Sequence, residues 1–200
     1  MQCSSLRQPL RRKIRRKPAR PVLFGSPFDA GVWAILTQRT QFGQAIRLRE
    51  RLAALAPAEV AVDGHVLRPF PGPAALVDLE PVPGLPVPKV EWLRELARAA
   101  ADGFLDAGRL RALPPEEALL ELRDLPGVGA FSSELILVRG AGAPDVLPAA
   151  EPRVRAAVRL AYGLAGDPGP GEFTRIAEPW RPLRSWVCLL LRARLAEEPR

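Results

Sequence analysis

The sequence predicts an all-α protein on three observations. The periodic apolar runs repeat at helical spacing, several open on proline or with acids in the first turn, and several close on glycine. With 200 residues, 48% of them hydrophobic, the chain can bury a sizeable core in one domain or two small lobes. The formal charge of +7 is unevenly placed: eight Lys and Arg and no acid fall within residues 1–28, so the rest holds 21 basic against 22 acidic residues and is close to neutral. A body of that kind would bind nucleic acid through local patches and backbone donors, with the basic stretch adding general attraction.

Residues 7–20, with Arg11-Arg12-Lys13 and Arg15-Arg16-Lys17, form a like-charge block expected to stay disordered in isolation. Ser26-Pro27-Phe28-Asp29 reads as an N-cap, a proline at the first helical position and an acid two residues on. Phe28, Val32, Ile35 and Leu36 then share a face. Gln38 and Arg39 mark a joint, and Thr40 opens a second helix in which Ala45, Leu48, Leu52 and Leu55 repeat. Residues 56–88 are rich in proline and glycine and read as a loop with a short helical stretch near Ala74 to Leu79. Lys89 to Ala101 is amphipathic, with Val90, Leu93, Ala97 and Ala100 on one side and Gly103 as its stop. Pro114-Pro115-Glu116-Glu117 starts another helix, with Ala118, Leu119 and Leu122 at helical spacing and an end at Leu125-Pro126. Phe131 to Arg139 is apolar almost all round, which predicts a buried helix. Pro152 to Tyr162 places Val154, Ala157, Val158 and Ala161 inward and Arg153, Arg155 and Arg159 outward, and Gly163 ends it. A short helix through Ile176 follows, and Pro182 opens a last one with Leu183, Trp186, Val187 and Leu190 facing the core.

The stretch that looks built for a task begins at Gly127-Val128-Gly129, between two of these helices. Glycine permits positive φ and close approach of another molecule, while Val128 can plug into the core. The exposed N–H groups lie at the start of the next helix, where partial positive charge favours an anion, so the turn is a candidate phosphate cradle. Taken alone it reads first as an ordinary turn between helices, since helix ends prefer glycine in any case.

Read together, Leu125-Pro126-Gly127-Val128-Gly129, the aromatic Phe131, a buried helix, the loop Gly142-Ala143-Pro144-Asp145-Val146 and Glu151 before a helix form an ordered set. Ile35-Leu36-Thr37-Gln38 precedes it and Trp180-Arg181-Pro182-Leu183-Arg184-Ser185-Trp186 follows. On these motifs the chain resembles the helix-hairpin-helix DNA glycosylases, on the 3-methyladenine DNA glycosylase II branch, from about Ser26 to Leu195. The resemblance implies an all-α, two-lobed fold with the active-site cleft between the lobes. Residues 1–24 would be the basic tail and 25–200 the glycosylase domain, with one lobe at about 40–140 and the other made of 25–39 plus 141–200. The implied activity is to flip an alkylated purine of the 3-methyladenine type out of damaged double-stranded DNA and hydrolyse its N-glycosidic bond in base-excision repair. The protein would act as a monomer.

Hydrolysis of that bond passes through an oxocarbenium-like state, which needs a fixed carboxylate near the sugar. Glu151 is the candidate: Pro152 sets it at a helix N-terminus, where the dipole favours its ionised form. The plain alternative is a capping acid with no chemical part. The family has aspartate at this position, and a displacement of about 1 Å can cost roughly 10²-fold in rate. A catalytically impaired helix-hairpin-helix DNA-binding protein is therefore the rival expectation, and a helical interaction domain without nucleic acid a third. A positively charged alkylated base leaves readily and is held by aromatic faces, for which Phe131, Trp33, Tyr162 and Trp180 are the candidates. Relatives that also cleave the strand carry a lysine where this chain has Phe131, so a monofunctional enzyme is implied. By position Gln38 would approach the gap left by the flipped base, and Leu85 or Val87 would be the apolar wedge, unless each only packs on its neighbours. Gly127, Val128, Gly129 and Arg153 complete the expected DNA contacts.

No cofactor is expected. Cys3 and Cys188 cannot form a disulfide framework or a four-cysteine cluster site, and the sole histidine, His65, has no metal-binding company in sequence. The absence of an eighteen-residue apolar run or of a signal core argues against membrane partners and for a cytoplasmic, nucleoid-associated protein.

Overall fold

The structure is a computed structural model that describes residues 23–55, 59–67 and 70–197. The basic block at 7–20 and Cys3 lie outside the described residues. The helices are α1 (Pro27–Thr37), α2 (Phe42–Ala53), α3 (Val87–Ala101), α4 (Ala107–Ala112), α5 (Pro115–Arg123), α6 (Ala130–Leu135), α7 (Pro152–Tyr162), α8 (Pro170–Ala177) and α9 (Arg184–Glu197). A π-helical turn, Ile136–Gly140, continues α6. Among the described residues no helix is long and apolar enough to cross a membrane.

The chain divides into two compact units, Leu23–Ala143 and Pro144 onward. In the first, α1 is the central element. Ser26 accepts from the Asp29 amide at 3.1 Å as its N-cap, and Pro27 fills the first turn. Phe28, Ala30, Val32, Ala34, Ile35 and Leu36 are all buried, so α1 has no free face and packs against α2, α3, α6 and the π turn. Residues 25–39, which the resemblance sets with the C-terminal part, lie here within Leu23–Ala143. A helix apolar on every side needs neighbours on every side, and those neighbours lie in its own unit. Gly31 makes room there for the end of the Leu96 side chain, whose Cδ2 would lie 2.9 Å from a Cβ.

Two local elements escape the helical reading. Val60–Val62 and His65–Leu67 pair as a short antiparallel hairpin in which Asp63 and Gly64 both have positive φ. The sequence signal is Asp-Gly between apolar residues. The six-residue α4, capped by Asp106, occupies the interval between Gly103 and Pro114.

The second unit is built on α7 against α9, with Val154, Val158, Phe173 and Cys188 at its centre. The last helix starts at Arg184 and is turned relative to the expected face: Leu183 and Leu190 are exposed, and Arg184, Ser185, Cys188 and Leu189 are inward. Polar anchors decide this rotation. Arg184 reaches Asp145 from Nε at 2.7 Å, and Ser185 Oγ accepts from the Val146 amide at 2.9 Å and donates to its carbonyl at 3.0 Å.

Candidate functional site

The glycine turn lies in the first unit and is held on several sides. Gly127 has φ +78°, a conformation that only glycine adopts without strain. A Cβ on it would lie 2.6 Å from Trp92 Cδ2 and Cε3, so the indole of α3 occupies the space a side chain would need. The Val128 amide donates to the Leu125 carbonyl at 3.0 Å and its side chain is buried, as a core plug should be. Gly129 does not use the positive φ that glycine permits: its backbone is extended, and nothing lies within 4 Å of where a Cβ would stand. Its openness leaves room for another molecule. Gly129 is the N-cap of α6 and offers no side-chain acceptor, so the first-turn amides have none inside the helix.

Gln38 follows α1 and is turned onto this hairpin. Its Nε2 donates to the Gly127 carbonyl at 2.6 Å and lies 3.4 Å from Ser132 Oγ. The main chain at Gln38 is itself anchored by Lys89, a buried lysine whose Nζ donates to the carbonyls of Leu36 at 3.1 Å and Gln38 at 2.7 Å and to Thr40 Oγ1 at 2.8 Å. Burial pushes the Lys89 ammonium below the usual lysine range. Lys89 sits in the first turn of α3, where a cation is disfavoured, yet its head reaches the C-terminal carbonyls of α1, where one is favoured. That misplaced charge was the only sequence sign of its role.

The two wedge candidates part company: Leu85 is 7% exposed and packs with the core, whereas Val87, the first residue of α3, is 66% exposed. Phe131 is 39% exposed in the first turn of α6. Trp33 is partly buried and meets Phe42 edge-on at 5.8 Å; Phe42, itself 70% exposed, was not singled out from sequence.

In the second unit, Glu151 is the N-cap of α7 with extended backbone, φ −87° and ψ 106°. Oε1 accepts from the Arg153 amide at 3.2 Å, and Oε2 faces Arg192 Nε of α9 at 3.7 Å. Arg192 Nε is buried and has no hydrogen-bond partner, so the pair is an ion pair short of contact. Arg153 itself is exposed. Asp145 is unavailable as a substitute carboxylate, being bound by Arg184 and, at 3.0 Å, by Arg181. Burial alone would raise its pKa, but the hydrogen bonds and charge of Arg184, with Arg181, outweigh this and hold it below the usual carboxylate range. Tyr162 and Trp180 are brought together, the indole Nε1 donating to the phenol oxygen at 3.1 Å, and Trp180 also meets the buried Phe173 edge-on at 6.4 Å. Both rings are partly exposed and partly used in packing. Among the described residues no group of three or more His, Cys, Asp or Glu could hold a metal ion.

Neither a family model nor a curated protein matches the sequence. Solved structures do. The Schizosaccharomyces pombe 3-methyladenine DNA glycosylase Mag1, in complex with abasic DNA, is similar at TM-score 0.67 and 21% identity, over 92% of this chain and 88% of that one. The 3-methyladenine DNA glycosylase of Archaeoglobus fulgidus gives TM-score 0.70 at 25% identity over 86% of this chain, which spans 58% of the archaeal one. An 8-oxoguanine glycosylase/lyase from Clostridium acetobutylicum, bound to duplex DNA with cytosine opposite 8-oxoguanine, gives 0.68 at 16% identity, over 86% of this chain and 60% of that one.

Proposed function

From a chain with the all-α fold of the helix-hairpin-helix DNA glycosylases, we propose a monofunctional base-excision-repair glycosylase that hydrolyses the N-glycosidic bond of a flipped alkylated purine, of the 3-methyladenine type, in duplex DNA. The observation that carries the reading is Glu151, fixed at the start of α7 by the Arg153 amide with its second oxygen facing Arg192. A carboxylate so placed can stabilise positive charge developing on the deoxyribose and orient a water for attack at its anomeric carbon. An alkylated purine carries the charge that makes it a good leaving group, so no strong general acid is needed, and exposed rings such as Phe131 supply stacking and cation–π attraction. The open backbone at Gly129 and the amides of the first turn of α6 would take a DNA phosphate.

The extra methylene of glutamate, against the family's aspartate, is met in this chain by a guanidinium on the far oxygen, which supports an adapted site. The same contacts also describe a capped helix, and this favours the second reading: a duplex-binding protein of this fold without excision. Release of free base from alkylated duplex DNA separates the two. The proposal expects release that leaves an abasic site, with no covalent protein–DNA adduct trapped by borohydride, because Phe131 offers no amine. Substantial trapping would overturn the monofunctional assignment, and no release at all would leave the binder.

A further inference from the structure

Gln38 stands at the joint after α1, where the resemblance expects a residue that approaches the gap in the base stack. In the structure its amide is already committed. A side chain 89 positions away in sequence from Gly127 donates to that residue's carbonyl at 2.6 Å, shorter than a typical N–H···O bond. The backbone carrying this side chain is not free to follow a ligand, because Lys89, 7% exposed, ties the carbonyls of Leu36 and Gln38 and the hydroxyl of Thr40 together. Thr40 Oγ1 closes the knot by donating to the Gln38 carbonyl at 2.9 Å.

The carbonyl that Gln38 holds is the one whose orientation matters most. It belongs to the peptide joining Gly127 to Val128, and Gly127 is a positive-φ glycine with an indole packed where a side chain would be. A glycine peptide is the one most able to swing over, and swinging it would break the Val128-to-Leu125 bond, set the Gly127 carbonyl against that of Leu125 and displace the open Gly129 backbone that follows. A buried ammonium anchors the end of α1, and the amide of Gln38 then pins the peptide. We propose that Gln38 is a positioning residue that locks the glycine turn in its ligand-facing conformation, with Lys89 as its anchor, and that it does not enter the duplex. This deepens, and rests on, the reading of the turn as a holder of the DNA backbone.

The two roles for Gln38 predict opposite splits between binding and chemistry. Gln38→Met keeps the length and removes the donor; Gln38→Glu keeps the length and sets an acceptor against the carbonyl. In the free protein, amide hydrogen exchange at residues 127–130 should quicken in Gln38→Met by about tenfold, the equivalent of one lost hydrogen bond. It should quicken more in Gln38→Glu. Affinity for undamaged duplex DNA should fall severalfold in the same order, while the single-turnover rate of base release at saturating protein stays within about twofold of wild type. Gln41→Met, an exposed residue of the same joint, should change neither. Unchanged exchange in both Gln38 variants would overturn the clamp whatever the activity. A lowered single-turnover rate with undamaged-duplex affinity intact would overturn it in favour of a gap-filling residue. Faster exchange with unaltered affinity would leave the clamp standing and refute the turn as a DNA contact.

Discussion

In the first unit the turn at Gly127 is fixed by the Trp92 ring, the Gln38 amide, the buried Val128 side chain and the Val128-to-Leu125 turn bond. In the second unit Glu151 is held by one amide at 3.2 Å and faces one guanidinium at 3.7 Å. The difference lies in what each has to present. The turn offers main-chain donors, which do not depend on the identity of a side chain, so its chemistry survives sequence change provided the backbone is locked. The carboxylate is a side chain at the end of two rotatable methylenes, and its position follows the identity of one residue and of the neighbour opposite it.

The sharpest way to break that comparison is to attack the lock. Gly127→Asp places a branched side chain against Trp92 at positive φ and should cost about 3 kcal/mol or more of stability, read as a lowered denaturant midpoint. Gly129→Asp meets open space on an extended backbone, so it should unfold nothing. It should still weaken binding to every duplex by about tenfold or more through repulsion of phosphate. Equal loss of stability in the two variants would show that the glycines serve only the fold.

A smaller effect separates core from contact in the proline-rich stretch before α3. Leu85→Ala removes a buried side chain and should destabilise by about 2–3 kcal/mol, whereas Val87→Ala should leave stability within about 0.5 kcal/mol and slow excision instead. A normal excision rate for Val87→Ala would remove Val87 as the wedge.

The smallest effect concerns the acid limb of stability. The Asp145 carboxyl is held below its unfolded range by Arg184 and Arg181, so its contribution is full above about pH 4, the unfolded value. It is lost as pH falls through the lower folded value. Asp145→Asn should cost about 1–2 kcal/mol at neutral pH and flatten this acid dependence in urea titrations taken at several pH values. An unchanged acid slope would mean that other carboxylates govern it.

How far the sequence could be read follows the same division. Helix starts were legible wherever the device is local, as at Ser26-Pro27, Pro115 and Glu151-Pro152, because capping is decided within one turn. The glycine turn was legible as a motif, but not which glycine needs its freedom, since that depends on Trp92, far away in the chain. The face of α9 could not be read from apolar spacing because Arg184 and Ser185 are drawn inward by partners at 145 and 146. The partners of Lys89 and Arg192 could not be read from their local sequence. Each acts on a residue tens of positions distant, and single-sequence periodicity carries no record of such pairs. Gln38 is legible as a polar residue at the joint after α1, but its bond to Gly127, 89 positions away, leaves no local signal.

The central claim is that Glu151 performs chemistry and does more than cap α7, and excision by Glu151→Gln and Glu151→Asp measures this directly. Glutamine keeps the shape and can still accept from the Arg153 amide, so the fold and duplex affinity should hold within a few-fold while single-turnover base release falls by about 10²-fold or more. Glu151→Asp withdraws the charge from Arg192, so in an adapted site it should also slow release. Base release by Glu151→Gln at the wild-type rate would contradict the account, and activity that appears only in Glu151→Asp would mark this chain as a duplex binder of the glycosylase fold.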